Sequence, residues 1–308
     1  MKKHPLLADF ILLFVAFIWG TTFVLVENAI EFLPPFVFNS IRFTLASASL
    51  FIIMVLFYRR TLQAIDSKLL LAGVILGGWL FSGYLFQTVG LVHTSSSKAG
   101  FITGLSVVLV PLFSFLLLRH KITKNALLGI LLATVGLYLL TFGDVTSLNI
   151  GDLLVFFCAI SFALQIVFTG KYAPHYPALL LALIQIFTVA ILSGIGSFLT
   201  GEWKVLLDNP SYISESVVIW ALLICALPAT AFAFVAQTEF QAYTTPTKVA
   251  LIFATEPVFA ALTDIWWNNN WLPAVSILGC MLILFAMIIA ELRWRGKNAK
   301  KIIQVKNR

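Results

Sequence analysis

Apolar residues run in long stretches along nearly the whole chain, and polar residues collect in the short segments between them. A helix rises about 1.5 Å per residue, so about twenty apolar residues cross a hydrocarbon layer roughly 30 Å thick. Stretches of about this length lie near residues 6 to 29, 35 to 57, 69 to 92, 96 to 118, 125 to 142, 150 to 170, 178 to 199, 216 to 241, 246 to 267 and 271 to 291. The pattern predicts an all-α integral membrane protein with ten transmembrane helices.

The composition supports a membrane protein. Of the 308 residues, 60% are hydrophobic and 11% are charged, whereas a soluble domain has about 25% charged residues. A water-soluble core is therefore excluded. Cys158, Cys225 and Cys280 all lie in apolar stretches, and their odd number indicates neither a disulfide framework nor a metal site.

The positive charges predict an orientation in the membrane. With a cytoplasmic amino terminus, Lys98 and Lys204 fall outside and Arg42 falls within a span. The other cations then lie inside, as in most membrane proteins: Lys2, Lys3, Arg59, Arg60, Lys68, Arg119, Lys121, Lys124, Lys171, Lys248 and those of the tail. We predict a multi-pass protein of the cell membrane with both termini cytoplasmic. The basic tail is interpreted as an orientation signal, and no nucleic-acid partner is expected.

Two segments of the sequence repeat each other. The string QTVGLVHTSSSKAG from Gln87 matches QTEFQAYTTPTKVA from Gln237, with Gln, Thr, Thr and Lys in register. Further matches pair Pro111 with Pro257, Gly129 with Gly279, and Asp9 with Asp152. Internal repeats of this kind are typical of transporters.

The repeat predicts two units of five helices, residues 1–143 and 144–292, followed by a basic cytoplasmic tail, residues 293–308. Because five is odd, the second unit enters the bilayer from the opposite side, and the two units are inverted relatives. The charges agree with this topology. Lys98 is predicted outside, and its counterpart Lys248 is predicted inside.

Three strings resemble one known family. They are IWGTTF from Ile18, FITGLSVVLVPLFSFLLLRHKIT from Phe101, and ALPATAFAFVAQTEFQAYTTPTKVALIFATEPVFAAL from Ala226. The chain resembles the EamA-type members of the drug/metabolite transporter superfamily over nearly its whole length. The resemblance implies two five-helix repeats and export or uptake of amino acids and related metabolites. The chain departs from the family at Trp266, where Trp-Trp-Asn-Asn-Asn replaces a common Gly-Glu.

Two ionisable residues lie well inside predicted spans, where a central charge costs about 2.5–3.5 kcal/mol on insertion scales. Glu256 precedes Pro257, which interrupts helical hydrogen bonding. We expect Glu256 either to face a cavity, binding amine groups or taking up a proton, or to be held by backbone or an Arg. Arg42 is expected to bind a substrate carboxylate or to pair with Glu256 or a helix end. The repeat matches Arg42 with Gln185, which favours a structural role.

Polar and aromatic residues share helix faces in several spans. The faces predict a water-accessible pathway lined by spans one, three, four, six, eight and nine. In the alternative interpretation, these residues only form hydrogen bonds between helices. The candidate substrate-binding residues are Trp19, Thr22, Arg42, Tyr84, Gln87, Gln165, Phe234, Gln237 and Glu256. Glu256 is also the candidate for proton coupling.

Two glycine pairs have the spacing that lets helix backbones approach closely, Gly73 with Gly77 and Gly100 with Gly104. We predict helix packing at both pairs and no role in recognition.

The sequence contains no Walker-type, nucleophile-elbow or His-Glu-x-x-His motif. We therefore predict a secondary transporter of small polar metabolites, with alternating access at a midplane cavity, and no enzyme activity, cofactor or metal. Protons are the expected coupling ion, and a monomer and a dimer both remain open. The rival interpretations are a membrane-embedded enzyme and a sensory subunit without transport.

Overall fold

Helices make up most of the chain. The computed structural model describes residues 5–94, 96–140, 149–268 and 271–291, and these ranges contain no strand. In chain order the α-helices are Pro5–Ala29 (α1), Pro35–Phe57 (α2), Ser67–Leu91 (α3), Ser96–Gly104 (α4), Ser106–Leu118 (α5), Lys124–Leu140 (α6), Ile150–Tyr172 (α7), Ala178–Thr200 (α8), Val205–Asp208 (α9), Ser216–Ala226 (α10), Ala233–Gln241 (α11), Pro246–Phe253 (α12), Glu256–Asn268 (α13) and Ala274–Glu291 (α14). The basic tail, residues 293–308, lies outside the described residues.

Within the described ranges, seven helical segments are long and apolar enough to cross a membrane. They are Leu6–Ala29, Pro35–Phe57, Ser67–Leu91, Lys98–Leu118, Ile150–Tyr172, Ala178–Thr200 and Ser216–Gln241. Two apolar helices are shorter, Lys124–Leu140 and Ala274–Ile289. The multi-pass membrane protein expected from the sequence is thus confirmed, while the full number of ten spans stays a prediction.

Three of the predicted spans are interrupted near their middle. Span four divides into α4 and α5 at Leu105, and span nine divides into α12 and α13 after Phe253. Span eight passes from α10 to α11 through a π-helical turn, Leu227–Phe232, which contains Pro228. Irregular backbone at this depth is tolerated where it is buried in protein or lines a cavity. The interruptions therefore mark the interior of the bundle as the place to look for a site.

The outer surface of the bundle is apolar. Phe57 is 75% exposed and Leu199 is 78% exposed, and many other Leu, Ile and Phe side chains on the helices are exposed too. Such a surface is unfavourable in water but matches lipid chains.

Helices of the first half pack mainly against helices of the second half. Helix α2 packs on α8, α3 on α7 and α8, and α6 on α14. At the α6–α14 crossing the two backbones touch, because a Cβ added at Gly279 would lie 2.5 Å from the Gly136 carbonyl oxygen. Close approach at small residues is a usual means of helix association in lipid. The halves thus form one interlocked bundle.

Two ion pairs connect the halves in a reciprocal manner. Lys98 Nζ lies 3.4 Å from Asp152 Oδ2, and Lys248 Nζ lies 2.6 Å from Asp9 Oδ1. The repeat matches Lys98 with Lys248 and Asp9 with Asp152. Each pair therefore joins the lysine of one unit to the aspartate of the other. Sequence reasoning used these lysines only as orientation signals and did not predict that they are buried and paired.

Candidate functional site

A cavity lies between the helices in the middle of the bundle. All nine residues predicted as the site line it: Trp19, Thr22, Arg42, Tyr84, Gln87, Gln165, Phe234, Gln237 and Glu256. Measured by where the centre of a water molecule fits, its volume is about 70 Å³, which is room for several waters because one needs about 10–15 Å³. The structure thus brings the predicted residues together, and their roles in binding stay predictions.

The cavity has aromatic walls. The Trp19 ring lies 5.4 Å from Phe234 and 4.9 Å from Phe253 between centroids, and Tyr84 lies 5.2 Å from Phe162. Trp19 Nε1 donates a hydrogen bond to the Ala229 carbonyl in the π-helical turn, at 2.8 Å. The indole is therefore held in place and presents an apolar face to the cavity.

Glu256 is the first residue of α13, directly after the break that follows α12, and Pro257 is the next residue. Thr255 Oγ1 donates to the Ile252 carbonyl at 2.7 Å, which satisfies an acceptor at the end of α12. Helix α1 contacts the backbone at the break. A Cβ added at Gly20 of α1 would lie only 2.6 Å from the Glu256 carbonyl oxygen. The backbone of this residue is thus fixed from both sides.

The Glu256 side chain is partly exposed to the cavity. Across the described ranges its carboxylate has no hydrogen bond or ion pair. A carboxylate among apolar helices is stabilised by water or by a positive group. The site is therefore suited to a donor or a positive group that a solute brings.

Arg42 is held by a helix end and by aromatic rings. Its Nε donates to the Cys225 carbonyl at 3.2 Å and to Thr230 Oγ1 at 2.9 Å. Its Nη2 donates to Tyr84 Oη at 3.3 Å, and its Cζ lies 4.6 Å from the centroid of the Tyr84 ring. Among the described residues Arg42 forms no ion pair with Glu256, so that alternative from the sequence was wrong. The predicted pairing with a helix end is present, at the carbonyl before the π-helical turn.

Polar residues of α7, α8 and α11 form a connected glutamine network. Gln165 Nε2 donates to Gln185 Oε1 at 3.2 Å, and Gln237 Nε2 donates to Gln165 Oε1 at 3.2 Å. Gln237 Nε2 also donates to Gln241 Oε1 at 3.3 Å. Gln165 and Gln237 therefore fit both interpretations left open by the sequence, since they bond between helices and also line the cavity.

The structure does not show the helix packing that was predicted at Gly100. A Cβ added at Gly73, Gly77 or Gly104 would meet neighbouring atoms at 2.4 to 2.9 Å, in agreement with helix packing. A Cβ added at Gly100 would meet nothing within 4 Å, because this residue lines the cavity. The packing expected at Gly100 is therefore wrong.

Other lining residues were missed from the sequence. They include Phe162 and Phe253 on the aromatic walls and Thr103, whose Oγ1 accepts a hydrogen bond from Gln87 Nε2 at 3.4 Å. One signal was present in the sequence: in the repeat, Phe162 matches Trp19 and Phe253 matches Thr103.

Comparison with known proteins agrees with a transporter. The model of the EamA-like transporter family matches residues 6–142 and again residues 149–291. A transporter of Archaeoglobus fulgidus is 37% identical over 289 residues, which cover 94% of this chain and 87% of that protein. An S-adenosylmethionine/S-adenosylhomocysteine transporter of Chlamydia muridarum is 29% identical over 238 residues, covering 71% of this chain and 73% of that protein.

A solved structure shares the fold. The match to this crystal structure spans 94% of the present chain and 97% of the other chain, with a TM-score of 0.73 and 19% sequence identity. Apolar helices around a cavity lined by aromatic, aliphatic and some polar side chains define a multi-pass membrane protein of the transporter class. The chain belongs to the EamA-like transporter family, within the drug/metabolite transporter superfamily. The family and the names of its relatives indicate a transporter rather than an enzyme.

Proposed function

We propose that this protein is a secondary transporter, a permease or exporter, of small polar metabolites such as amino acids and related compounds. The observation that carries the proposal is the Glu256 carboxylate, partly exposed in an aromatic-walled cavity and without a partner in the described ranges. Glu256 binds the amine group of the solute or takes up a proton. The aromatic walls contact its apolar part. A relative named as a transporter of two amino-acid derivatives supports this solute class.

The transport mechanism that we propose is alternating access between two inverted five-helix units. The family model matches the chain in two segments, which supports a division into residues 1–143 and 144–292. The reciprocal ion pairs, Lys98 with Asp152 and Lys248 with Asp9, support a two-fold relation between the units. Ten spans put both termini on the same side of the cell membrane, and the distribution of positive charges makes that side the cytoplasm. The partners of the protein in this proposal are the lipid bilayer and the solute.

Reconstitution in sealed vesicles tests the proposal. We expect amino acids or related amines to enter protein-containing vesicles down an imposed gradient, and empty vesicles to stay impermeable. A pH gradient applied alone tests proton coupling. Chemical conversion of the solute supports the enzyme alternative instead, and neither flux nor conversion supports the sensory subunit.

Gly100 offers a test of the cavity as the transport path. We expect Gly100→Leu to lower the flux of large solutes by about tenfold or more, because the added side chain occupies cavity space that a large solute needs; tenfold corresponds to about 1.4 kcal/mol. The flux of the smallest solutes falls less. Flux of a graded series of amino acids measures the effect.

Gly78→Leu is the matched control for this substitution. A Cβ at Gly78 also meets nothing within 4 Å, and Gly78 does not line the cavity. We expect the flux of the Gly78→Leu variant to equal that of the parent protein. Equal loss in both variants, or loss in neither, contradicts transport through this cavity.

A further inference from the structure

The cavity extends toward one end of the bundle and stops short of the other. In the repeat, Val26 matches Thr169 and Leu91 matches Gln241. Val26 and Leu91 line the cavity, and they pack in one cluster near the ends of α1 and α3. Thr169 and Gln241 are fully buried and do not line it. Matched positions therefore line the cavity in the first unit and lie outside it in the second.

The glutamine network lies at the end that the cavity stops short of, the sealed end of the bundle. The bonds of Gln165 to Gln185 and of Gln237 to Gln165 hold α7, α8 and α11 together. Gln241 Nε2 adds a bond to the Ile166 carbonyl on α7. Apolar residues from the first half of α1 and from α12 pack around these helices. The end of the bundle where α1 begins is thus closed by polar bonds inside an apolar shell.

The matched residues of the first unit are not bonded to one another. Thr22, which matches Gln165, donates back to the Trp19 carbonyl of its own helix at 2.8 Å. Gln87, which matches Gln237, donates to Thr103 on α4. Neither has a hydrogen bond to the other within the part of the chain that the structure describes. The cavity separates α1 from α3 at the place where α7 and α11 are joined.

Among the described residues, several buried polar atoms at the sealed end have no partner, and Asn39 Oδ1 on α2, near the opposite end, is another such atom. Thr169 Oγ1, Gln237 Oε1 and Thr244 Oγ1 have no hydrogen-bond partner in the ranges that the structure covers. A buried acceptor without a partner destabilises the state that contains it, and water removes this cost when it enters. Entry of water at the sealed end therefore lowers the free energy of these polar atoms.

We propose that Gln165 and Gln237 form the closed gate of the transport pathway. Opening separates α7 from α11, admits water to the glutamine network and exposes the cavity to the end where α1 begins. Because the two units are repeats, Thr22 and Gln87 then approach each other and seal the opposite end. The inference rests on the proposed function and names the residues that alternate.

Thiol cross-linking tests the gate. The native cysteines Cys158, Cys225 and Cys280 are all buried, and they are first replaced by Ala in a background whose flux is verified. In that background, the pair Gln165→Cys with Gln237→Cys is expected to cross-link without solute. Its flux is expected to be lower in the cross-linked form than in the reduced form of the same variant, so the comparison does not require the flux of the parent protein. The matched pair Thr22→Cys with Gln87→Cys is expected to cross-link only while solute is transported. Cross-linking of the first pair with unchanged flux overturns the gate.

Labelling gives a second measurement that does not depend on the glutamines. In opened membranes, a membrane-impermeant maleimide is expected to label Thr169→Cys only when solute is present, and Val26→Cys without solute. Equal labelling of Thr169→Cys in both conditions overturns the gate. If the parent protein shows no flux, the proposed function is wrong. If it shows flux, but the cross-linked pair keeps its flux or Thr169→Cys labels equally in both conditions, only the gate is wrong.

Discussion

Glu256→Gln abolishes most solute flux and removes its dependence on pH. The amide keeps the size of the side chain but loses its charge, so a charge-assisted hydrogen bond of about 1.5–3 kcal/mol is lost, which corresponds to about 10- to 100-fold. The amide also cannot take up a proton. Flux in vesicles, measured across a series of pH values with and without a pH gradient, gives both effects.

Glu239→Gln is the control for the loss of charge. Glu239 lies on α11 and does not line the cavity, so its variant is expected to keep both the rate and the pH dependence of the parent. An unchanged rate and pH dependence in Glu256→Gln rejects the coupling role. A lower rate with the pH dependence retained assigns Glu256 to binding alone.

Asp152→Asn lowers the free energy of unfolding by about 1.5–3 kcal/mol, because it removes the negative charge from a hydrogen bond to the buried Lys98 ammonium. The side chains of Lys98 and Asp152 are 11% and 3% exposed. The other bonds of this side chain are from Thr94 Oγ1 to Oδ1 and from the Asn149 amide to Oδ2. Asparagine keeps a bond at both positions, because its oxygen accepts from the Asn149 amide and its Nδ2 donates to Thr94 Oγ1. The loss is therefore assigned to the charge. Denaturant unfolding of the solubilised protein measures it.

The double variant Lys98→Met with Asp152→Asn is expected to recover much of this stability, since no buried charge remains. Asp9→Asn at the related pair is expected to cost less, because Asp9 is 15% exposed against 3% for Asp152. An equal or larger loss in Asp9→Asn, or no recovery in the double variant, contradicts the assignment to a buried charge.

Much of the candidate site was predictable because bilayers restrict where polar groups occur. Gln165, Gln237 and Glu256 stand out in apolar stretches, and the structure places all three on the same cavity. Pro257 indicated the break at the start of α13, which the structure contains. The repeat added matched positions on separate helices. These signals depend only on residue type and spacing along one helix.

Contacts between distant helices were less predictable. Arg42 was expected to bind a substrate carboxylate, Glu256 or a helix end, and only the packing of α2 beside the π-helical turn showed the bond to the helix end. Gly100 and Gly104 have the same spacing as Gly73 and Gly77, yet Gly100 faces open space. Spacing identifies a face of a helix but not what that face meets.

Residue order alone was enough to identify an apolar helical membrane protein of the EamA-like family with a repeated pattern of polar residues. Hydropathy and repetition are properties of residue order, so they can be read without coordinates. Helix packing was needed to establish that Lys98 pairs with Asp152, that Arg42 bonds to the Cys225 carbonyl, and that Gln237 bonds to Gln165. The physical reason is that hydrogen bonds and ion pairs act over a few ångströms, and helix packing alone brings residues so far apart in the chain to that distance.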